Sequence, residues 1–229
     1  MEKKVAVIGG TGAEGTGLAL RFAKAGLRVL VGSRNLERAQ AAARQIGTKA
    51  AAGEVTGHSN EDAVASASIV VLTVPLSAQV ETLKSIRSHF DASAILVDAT
   101  VPLEVAIGGR LSRLLTLWDG SAAQQAARLL PGVPVVSAFH GLSAVALAKL
   151  DQPVDCDALL CGDSMDAKNT VAQLAETIRG VRAIDAGPLD HARFLESAAA
   201  MLIALNLRNK GKHSGMRITG LIGPGGPGE

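Results

Sequence analysis

Short runs of β-branched residues alternate with longer amphipathic segments along the first half of the chain. The short runs are bounded by turn residues and predict strands, whereas the longer segments carry the apolar spacing of helices. Strands and helices follow one another as 5–8, 15–25, 28–32, 36–46, 68–73, 78–89 and 94–98. The strand runs are almost wholly apolar, as expected for strands covered on both faces. The pattern predicts an α/β fold with a doubly wound parallel sheet of the Rossmann type.

The second half of the chain is less regular. Periodicity weakens over 101–131, which predicts a loop with Gly108-Gly109 and then a helix near 121–130. We interpret this stretch as an excursion from the sheet that supplies an active-site loop or a dimer contact. The remaining predicted strands are 133–139, 158–161 and 181–184, and the remaining predicted helices are 143–150, 165–179 and 189–210.

Composition excludes several classes of partner. Charged residues make up 19% of the 229 residues and the formal net charge is +2, which is too balanced for binding to nucleic acid or an anionic membrane. Aromatic residues are 2%, so stacking on protein side chains is not the main way in which a planar ligand is held. No apolar stretch reaches about 18 residues, so no membrane helix is predicted.

The two cysteines, Cys156 and Cys161, carry no redox or metal motif. They form no C-x-x-C pair and have no second pair of zinc ligands, so we expect small buried side chains and no metal site. No signal-like apolar segment follows Met1-Glu2-Lys3-Lys4. Together these features favour a cytoplasmic protein.

The clearest motif is Gly10-Thr11-Gly12-Ala13-Glu14-Gly15, which fits G-x-G-x-x-G between a predicted strand and a predicted helix. We expect the first glycine to permit a tight turn and the second to let the backbone approach a diphosphate. The third lets the helix pack on the strand, so that the helix N-terminus receives the negative charge. A phosphate loop of the Gly-Lys-Ser/Thr kind is absent, which argues against a kinase or a GTPase.

The end of the second strand predicts the choice of dinucleotide. An NAD site would place Asp or Glu there, whereas this chain has Ser33 and Arg34, followed by Arg38 one helical turn later. A hydroxyl and guanidinium groups suit a 2'-phosphate. NADP(H) is therefore favoured over NAD(H).

Two further stretches are expected at the same edge of the sheet. Thr73-Val74-Pro75 and His140 both follow predicted strands, and ligands of open α/β sheets bind at the carboxyl ends of the strands. We expect His140 to contact a ligand rather than to act as an acid or a base. The start of the last helix offers candidates for the wall opposite the nicotinamide, namely Leu189, Phe194, Leu195 and Ser197.

The assembled residues resemble the family of coenzyme F420-dependent NADP oxidoreductases, also called NADPH-dependent F420 reductases. The resemblance extends in order from residue 5 to about 220, which is more specific than the glycine loop that any Rossmann protein can share. The matching stretches are Val7-Ile8-Gly9-Gly10-Thr11-Gly12, Val31-Gly32-Ser33-Arg34, Val71-Leu72-Thr73-Val74-Pro75, Val135-Val136-Ser137-Ala138 with His140, and Asp185-Ala186-Gly187-Pro188-Leu189 with Glu196-Ser197.

The resemblance implies reversible hydride transfer between NADP(H) and the deazaflavin coenzyme F420, without a metal and without a named catalytic residue. It implies a large N-terminal Rossmann domain that binds NADP and a small C-terminal domain. The sequence pattern puts the boundary near Gln152-Pro153, which gives domains over 1–152 and 153–221, and the Gly/Pro-rich end predicts a flexible tail over 222–229. A homodimer is also implied. The phosphates of NADP would be held by Thr11, Ser33, Arg34 and Arg38, and the deazaflavin would lie beside His140, Leu142 and Ser197.

Two departures from the family affect the deazaflavin side. Gly141-Leu142-Ser143 stands where a Thr-Ile-Pro-like run is expected, and Ala199 replaces a threonine. Other acceptors therefore stay open, namely FMN, a ferric chelate reduced through a flavin, or a small carbonyl or imine substrate. A carbonyl dehydrogenase would need a proton donor, for which only Lys149 and Lys210 are plausible. A non-catalytic NADPH sensor is the alternative outside the enzymes.

Overall fold

The computed structural model describes residues 4–210 and 213–221 and has the predicted α/β architecture. The 222–229 tail lies outside the described residues. Eight strands form one sheet in the order β3-β2-β1-β4-β5-β6-β7-β8. The strands are β1 Lys4–Ile8, β2 Arg28–Ser33, β3 Val55–Ser59, β4 Ile69–Leu72, β5 Ile95–Asp98, β6 Val135–Ser137, β7 Cys156–Gly162 and β8 Val181–Asp185. The helices are α1 Ala13–Lys24, α2 Leu36–Ala50, α3 Asn60–Ala65, α4 Leu76–Ile86, α5 Ala122–Leu129, α6 Ala144–Leu147, α7 Met165–Glu176 and α8 Ala192–Arg208.

All pairings in the sheet are parallel except the one between β6 and β7. That antiparallel pair joins Val136 to Gly162 and Ser137 to Cys161. The order of the strands reverses between β1 and β4, and the carboxyl ends of these two strands flank the glycine loop. This is the switch point at which doubly wound sheets bind ligands.

Buried apolar side chains cover both faces of the sheet. One cluster joins α1 and α2 to alternate residues of β1 and β2, including Leu18, Ile46 and Val7. The other joins α3, α4 and α5 to the opposite face, including Val64 and Leu83. The nearly continuous apolar character of β1, β4 and β5 follows from this double coverage.

Strand β3 and helix α3 were missed by the sequence pattern. β3 has the sequence Val-Thr-Gly-His-Ser, and none of its five residues is fully buried. It lies at the edge of the sheet and pairs only with β2, so packing does not impose an apolar run on it. The six-residue α3 starts at once, capped by Ser59, whose Oγ accepts a hydrogen bond from the Asp62 N–H.

Several helices are shorter in the structure than the sequence pattern predicted. The helix predicted over 143–150 is the single turn α6, and the helix predicted over 165–179 ends at Glu176. The helix predicted over 189–210 begins as a 3-10 turn at Leu189–His191 and continues as α8. The stretch from 101 to 120 is irregular, as predicted, apart from a 3-10 turn at Glu104–Ile107. None of the described helices is long and apolar enough to cross a bilayer.

Candidate functional site: two cavities beside a glycine loop

The glycine loop connects β1 to α1 through a turn that closes with a hydrogen bond from the Gly12 N–H to the Gly9 carbonyl at 2.9 Å. The left-handed residue of this turn is Gly9, with φ of 81°, and not Gly10 as the motif predicts. Gly10 is needed for space instead, because a Cβ there would lie 2.8 Å from the Val7 carbonyl oxygen.

Helix α1 begins without a side-chain cap. Gly12 is its N-cap residue and provides no hydroxyl, amide or carboxylate to the first turn. By contrast, α2, α3, α5 and α7 are capped by Asn35, Ser59, Ser121 and Ser164. The first N–H groups of α1 are therefore left for an external acceptor, and the helix dipole favours an anion there.

Two cavities open on either side of this loop. The smaller cavity, of about 350 Å³, includes Thr11, Ser33, Arg34 and Arg38 in its lining. The larger, of about 690 Å³, includes Ala13, Glu14, His140 and Leu142. Both cavities share Gly12 and the predicted stretch Thr73-Val74-Pro75. A dinucleotide whose diphosphate crosses the loop would therefore place one end in each cavity.

Within the part of the chain that the structure describes, the cations of the smaller cavity have no carboxylate partner. Arg34 and Arg38 are exposed at the start of α2, and neither forms a salt bridge within residues 4–210 and 213–221. Ser33 Oγ accepts a hydrogen bond from the Asn35 N–H at 3.2 Å. This arrangement of a hydroxyl and two free guanidinium groups suits a phosphate monoester.

The backbone just before His140 is strained. The preceding residue, Phe139, has φ of 73° although it is not glycine, and it is buried with its ring 6.1 Å from that of Phe22. Both ring nitrogens of His140 are shielded from solvent, and the nearby Thr100 backbone interacts with the imidazole and partly opposes the effect of burial on its pKa. Burial lowers the pKa of His140 to about 4, so the imidazole is neutral at physiological pH.

Glu14 is the carboxyl group of the larger cavity. Its side chain keeps partial exposure in the first turn of α1, and its pKa is raised to about 8 by burial, with no hydrogen bond or cation to oppose the shift. A neutral acid at this position does not repel a diphosphate bound at the same helix start. The sequence motif predicted the position of Glu14 but not its protonation.

The far wall of the larger cavity lies further along α8 than predicted. Ser197 lies outside both cavities, with its Oγ donating a hydrogen bond to the Arg193 carbonyl one turn earlier at 2.6 Å. Leu189 and Leu195 pack into the core beneath α5, and Phe194 is exposed. Ala199, which the resemblance to the family had placed on the deazaflavin side, forms part of this wall. The rest of the wall consists of residues that the sequence pattern did not single out: Leu202, Ile203 and Asn206 of α8, His213 and Ser214 after it, and Thr100, Val101, Leu103, Val105 and Ala106 after β5.

A buried polar network lies behind the cavities. Gln79 Nε2 donates to Asp98 Oδ2 at 2.6 Å and to the Ala122 carbonyl at 3.0 Å, and Gln125 Nε2 donates to Gln79 Oε1 at 2.7 Å. Glu196 Oε1 accepts a hydrogen bond from the Ala122 N–H at 2.8 Å. The network thus joins β5, α4, α5 and α8.

The two acids of this network are hard to ionise. Burial raises the pKa of Asp98 to about 6, although hydrogen bonds from Thr100 and Gln79 oppose the shift. Burial, and then the charge of Asp98, raise the pKa of Glu196 to about 8. The network therefore costs stability when both groups are charged.

We expect Glu196→Gln to remove part of the stability loss that accompanies rising pH. The folded-state pKa lies above the unfolded value of 4.5, so between pH 4.5 and about 8 the folded protein keeps a proton that the unfolded chain releases, and stability falls as pH rises. The variant should gain roughly 1–3 kcal/mol over the parent protein at pH 8, measured by urea unfolding, and little at pH 4. The exposed Glu81→Gln is the control, and parallel pH profiles for Glu196→Gln and the parent would contradict the expectation.

The glycine loop at the switch point, the two free guanidinium groups and the adjoining second cavity define a Rossmann-fold dinucleotide-binding protein with room for a second ligand. The sequence model of the family described as "NADP oxidoreductase coenzyme F420-dependent" matches residues 4–102. The chain belongs to this family of F420-dependent NADP oxidoreductases.

Full-length relatives support this membership. The F420-dependent NADP reductase of Methanothermobacter thermautotrophicus is 50% identical over 225 residues, covering 96% of this chain and 97% of the relative. That of Methanocaldococcus jannaschii is 40% identical over 222 residues, covering 95% and 99%. A solved structure from Arthrobacter sp. FB24 is 23% identical, covers 96% of this chain and 100% of its own, and has a TM-score of 0.80, which shows a shared fold.

Proposed function

We propose that the chain is an NADPH-dependent F420 reductase, an oxidoreductase that transfers a hydride between NADP(H) and coenzyme F420. The observation that carries the proposal is the pair of cavities that share the wall formed by Gly12 and Thr73-Val74-Pro75. Relatives named F420-dependent NADP reductase, aligned over 95% or more of this chain, agree with it.

The residues present fit NADP(H). The uncapped start of α1 would accept the diphosphate, with the side-chain-free backbone of Gly12 lying between the two cavities. Thr11, Ser33, Arg34 and Arg38 would hold the 2'-phosphate side of the adenosine. When bound, NADP(H) supplies the hydride chemistry at its nicotinamide C4.

The larger cavity would hold the nicotinamide and the deazaflavin against each other. Its walls are mainly aliphatic, contributed by Val74, Leu142, Leu202 and Ile203, and can exclude water and align two flat rings. His140 would contact the deazaflavin as a neutral imidazole, and Leu142 would pack beside it. Direct hydride transfer needs positioning above all, which agrees with the absence of a lysine from the described lining.

Single-turnover mixing of NADPH-loaded protein with F420, with FMN and with a panel of carbonyl and imine compounds tests the acceptor. We expect oxidation of NADPH by F420 to be the fastest by a wide margin. Oxidation by FMN alone would make the protein a flavin reductase, and oxidation only by carbonyl compounds would make it a conventional dehydrogenase. Tight NADPH binding without turnover would favour the sensor.

The 2'-phosphate assignment predicts a selective effect of Arg34→Ala. Removing one charged hydrogen-bonding group should weaken NADPH binding by roughly 1–3 kcal/mol, or about 5- to 150-fold, and leave NADH binding little changed. Titration of NADPH and NADH fluorescence measures both. Arg44→Ala on the exposed face of the same helix is the control, and equal losses for the two nucleotides would count against the assignment.

We also propose a division into a Rossmann domain over 1–152 and a small C-terminal domain over 153–221, with the boundary in the segment between α6 and β7. A homodimer is supported by apolar side chains exposed along α8, among them Phe194, Met201 and Leu205. A cytoplasmic location is supported by the free, buried thiols of Cys156 and Cys161.

A further inference from the structure

Asn60 is a buried amide without a protein partner. The residue is 3% exposed at the start of α3, yet its side chain makes no hydrogen bond within the described residues. Its Oδ1 is shielded from solvent and faces Gly32 of β2, where an added Cβ would approach it to 3.1 Å. Asn60 nevertheless lines the smaller cavity.

Such a group costs stability in the free protein. A buried polar atom without a partner pays the full cost of leaving water, and native proteins keep few of them. Helix α3 does not need the amide, because its N-terminus is already capped by Ser59. The Asn60 amide is therefore best explained by a partner that enters the cavity.

The position of Asn60 separates it from the phosphate-binding cations. Arg34 and Arg38 lie at the start of α2, and α2 packs on one face of the sheet. Asn60 lies at the start of α3, and α3 and α4 pack on the other face. Residues of α4, Ala78 and Thr82, line the same cavity, together with Val74 and Pro75 before that helix.

This side of the cavity has the character of a base-binding slot. Val74, Pro75 and Ala78 offer an apolar wall for a flat ring, and Asn60 adds an amide with one acceptor and two donor hydrogens. An adenine edge presents an exocyclic amine donor next to a ring-nitrogen acceptor. An asparagine amide can pair with both at once when its Oδ1 turns from Gly32 toward the cavity.

We propose that Asn60 binds the edge of the adenine base of NADP(H) and makes the smaller cavity selective for adenine. This assignment rests on the proposed function, since it takes NADP(H) to be the occupant of that cavity. It makes Asn60 a specificity residue that acts independently of the 2'-phosphate contacts.

The test is a thermodynamic cycle in which both the Asn60 side chain and the base of the nucleotide are changed. The affinities of NADPH and of its hypoxanthine analogue, in which a carbonyl replaces the exocyclic amine, are measured for the parent protein, Asn60→Ala and Asn60→Leu. We expect the parent to prefer NADPH by about three- to tenfold, the range for one or two neutral hydrogen bonds. Both variants should bind NADPH more weakly by a similar factor and bind the two nucleotides equally.

Two further readouts separate a ligand contact from a structural one. Asn60→Leu should be at least as stable without nucleotide as the parent, because it removes an unpartnered polar atom, and the NADPH-to-NADH preference should stay unchanged. Ser59→Ala is the matched control, since it weakens the same helix start but keeps the amide, and it should keep the adenine preference.

The outcomes are distinct for the two proposals. An unchanged adenine preference in the folded Asn60 variants, or a changed NADPH-to-NADH preference, would overturn the assignment of Asn60 while leaving the NADP site intact. Loss of stability in Asn60→Leu with unchanged NADPH binding would overturn it in favour of a structural amide. Failure of Arg34→Ala to affect NADPH binding would instead undermine the proposed function itself.

Discussion

Gly15→Ala is expected to weaken NADPH binding by up to about a hundredfold, the factor that corresponds to roughly 3 kcal/mol. A Cβ at Gly15 would lie 2.6 Å from Thr73 Oγ1, 2.7 Å from the Gly9 carbonyl oxygen and 2.8 Å from the Gly10 Cα. Two of these three atoms belong to the backbone of the loop, and Thr73 Oγ1 is held by its hydrogen bond to the Ile8 carbonyl at 2.9 Å. No neighbour can move without opening the loop.

We expect the strain of this contact to disturb the diphosphate site. Overpacking a tight contact typically costs about 1–3 kcal/mol, and here the strain is relieved by moving the start of α1 away from β1 and β4. A shift of that kind takes the first N–H groups of α1 out of register with the glycine loop, so binding of the nucleotide falls together with turnover.

Gly47→Ala is the matched control for Gly15→Ala. Gly47 also lies inside a helix, but a Cβ there meets only Val55 Cβ at 3.8 Å, an ordinary contact. That variant should gain about 0.5–1 kcal/mol of stability from helix propensity and bind NADPH normally. Nucleotide titration and thermal unfolding measure both variants; normal NADPH affinity in Gly15→Ala would show that the loop tolerates a side chain.

Asp157→Ala is expected to cause the largest loss of stability among the charged residues. The Asp157 side chain has no exposed surface and accepts hydrogen bonds from Arg182 at 2.7 Å, from Arg217 at 2.8 Å and from the Ile218 N–H at 2.7 Å. Removing it leaves two guanidinium groups facing each other, which should cost on the order of 2–4 kcal/mol, less than for a fully buried pair because both arginines keep about a third of their surface.

The same carboxylate holds the segment after α8. Its oxygens accept hydrogen bonds from the Ile218 N–H at 2.7 Å and from Arg217 at 2.8 Å, and Arg182, which it pairs with, donates to the Ile218 carbonyl at 2.6 Å. His213 and Ser214, just before this segment, line the larger cavity. We therefore expect Asp157→Ala to raise the KM for F420 more than the KM for NADPH.

The pH dependence of this cluster has the opposite sign to that of Glu196. The Arg182 side chain holds the pKa of Asp157 well below its usual range, with further lowering from the Ile218 N–H and Arg217. A folded-state pKa below the unfolded value of 3.8 means that the stability is present above that pH and is lost as pH falls. Urea unfolding should show a difference in the free energy of unfolding between the parent protein and Asp157→Ala that is smaller below pH 4 than at pH 7.

Asp155→Ala is the control for the ion-pair cluster. Asp155 also bonds to Arg217, at 2.7 Å, but its side chain is 86% exposed, so its loss should cost less than about 1 kcal/mol. Equal losses of stability in Asp155→Ala and Asp157→Ala would contradict the conclusion that burial strengthens the interactions of Asp157.

The sequence predicted the parts of the site that depend on local spacing. Three parts of the site each follow directly on a strand that can be recognised by its apolar run: the glycine loop, Ser33 with Arg34, and Thr73-Val74-Pro75. The structure brings all three to one edge of the sheet. His140 could be predicted for the same reason, whereas Leu142 followed only from the resemblance to the family, and the strained φ of Phe139 before His140 carries no sequence signal.

The missed residues depend on contacts between distant segments. Asn60 follows an edge strand that packing leaves polar, so its neighbourhood gives no apolar pattern to detect. The far cavity wall lies further along α8 than the predicted residues, because the early residues Leu189 and Leu195 pack into the core instead. The pairs of Asp157 with Arg217 and of Asp98 with Glu196 join residues 60 or more positions apart.

The sequence by itself determined the order of strands and helices apart from β3 and α3, the glycine loop and the cationic end of β2, because these follow from hydrophobic periodicity and from residues adjacent in the chain. Only the tertiary structure decided which titratable groups are buried, which amide is left without a partner and which part of α8 faces the second ligand. The physical reason is that desolvation and hydrogen-bond satisfaction depend on everything packed around a group, and most of those neighbours come from elsewhere in the chain.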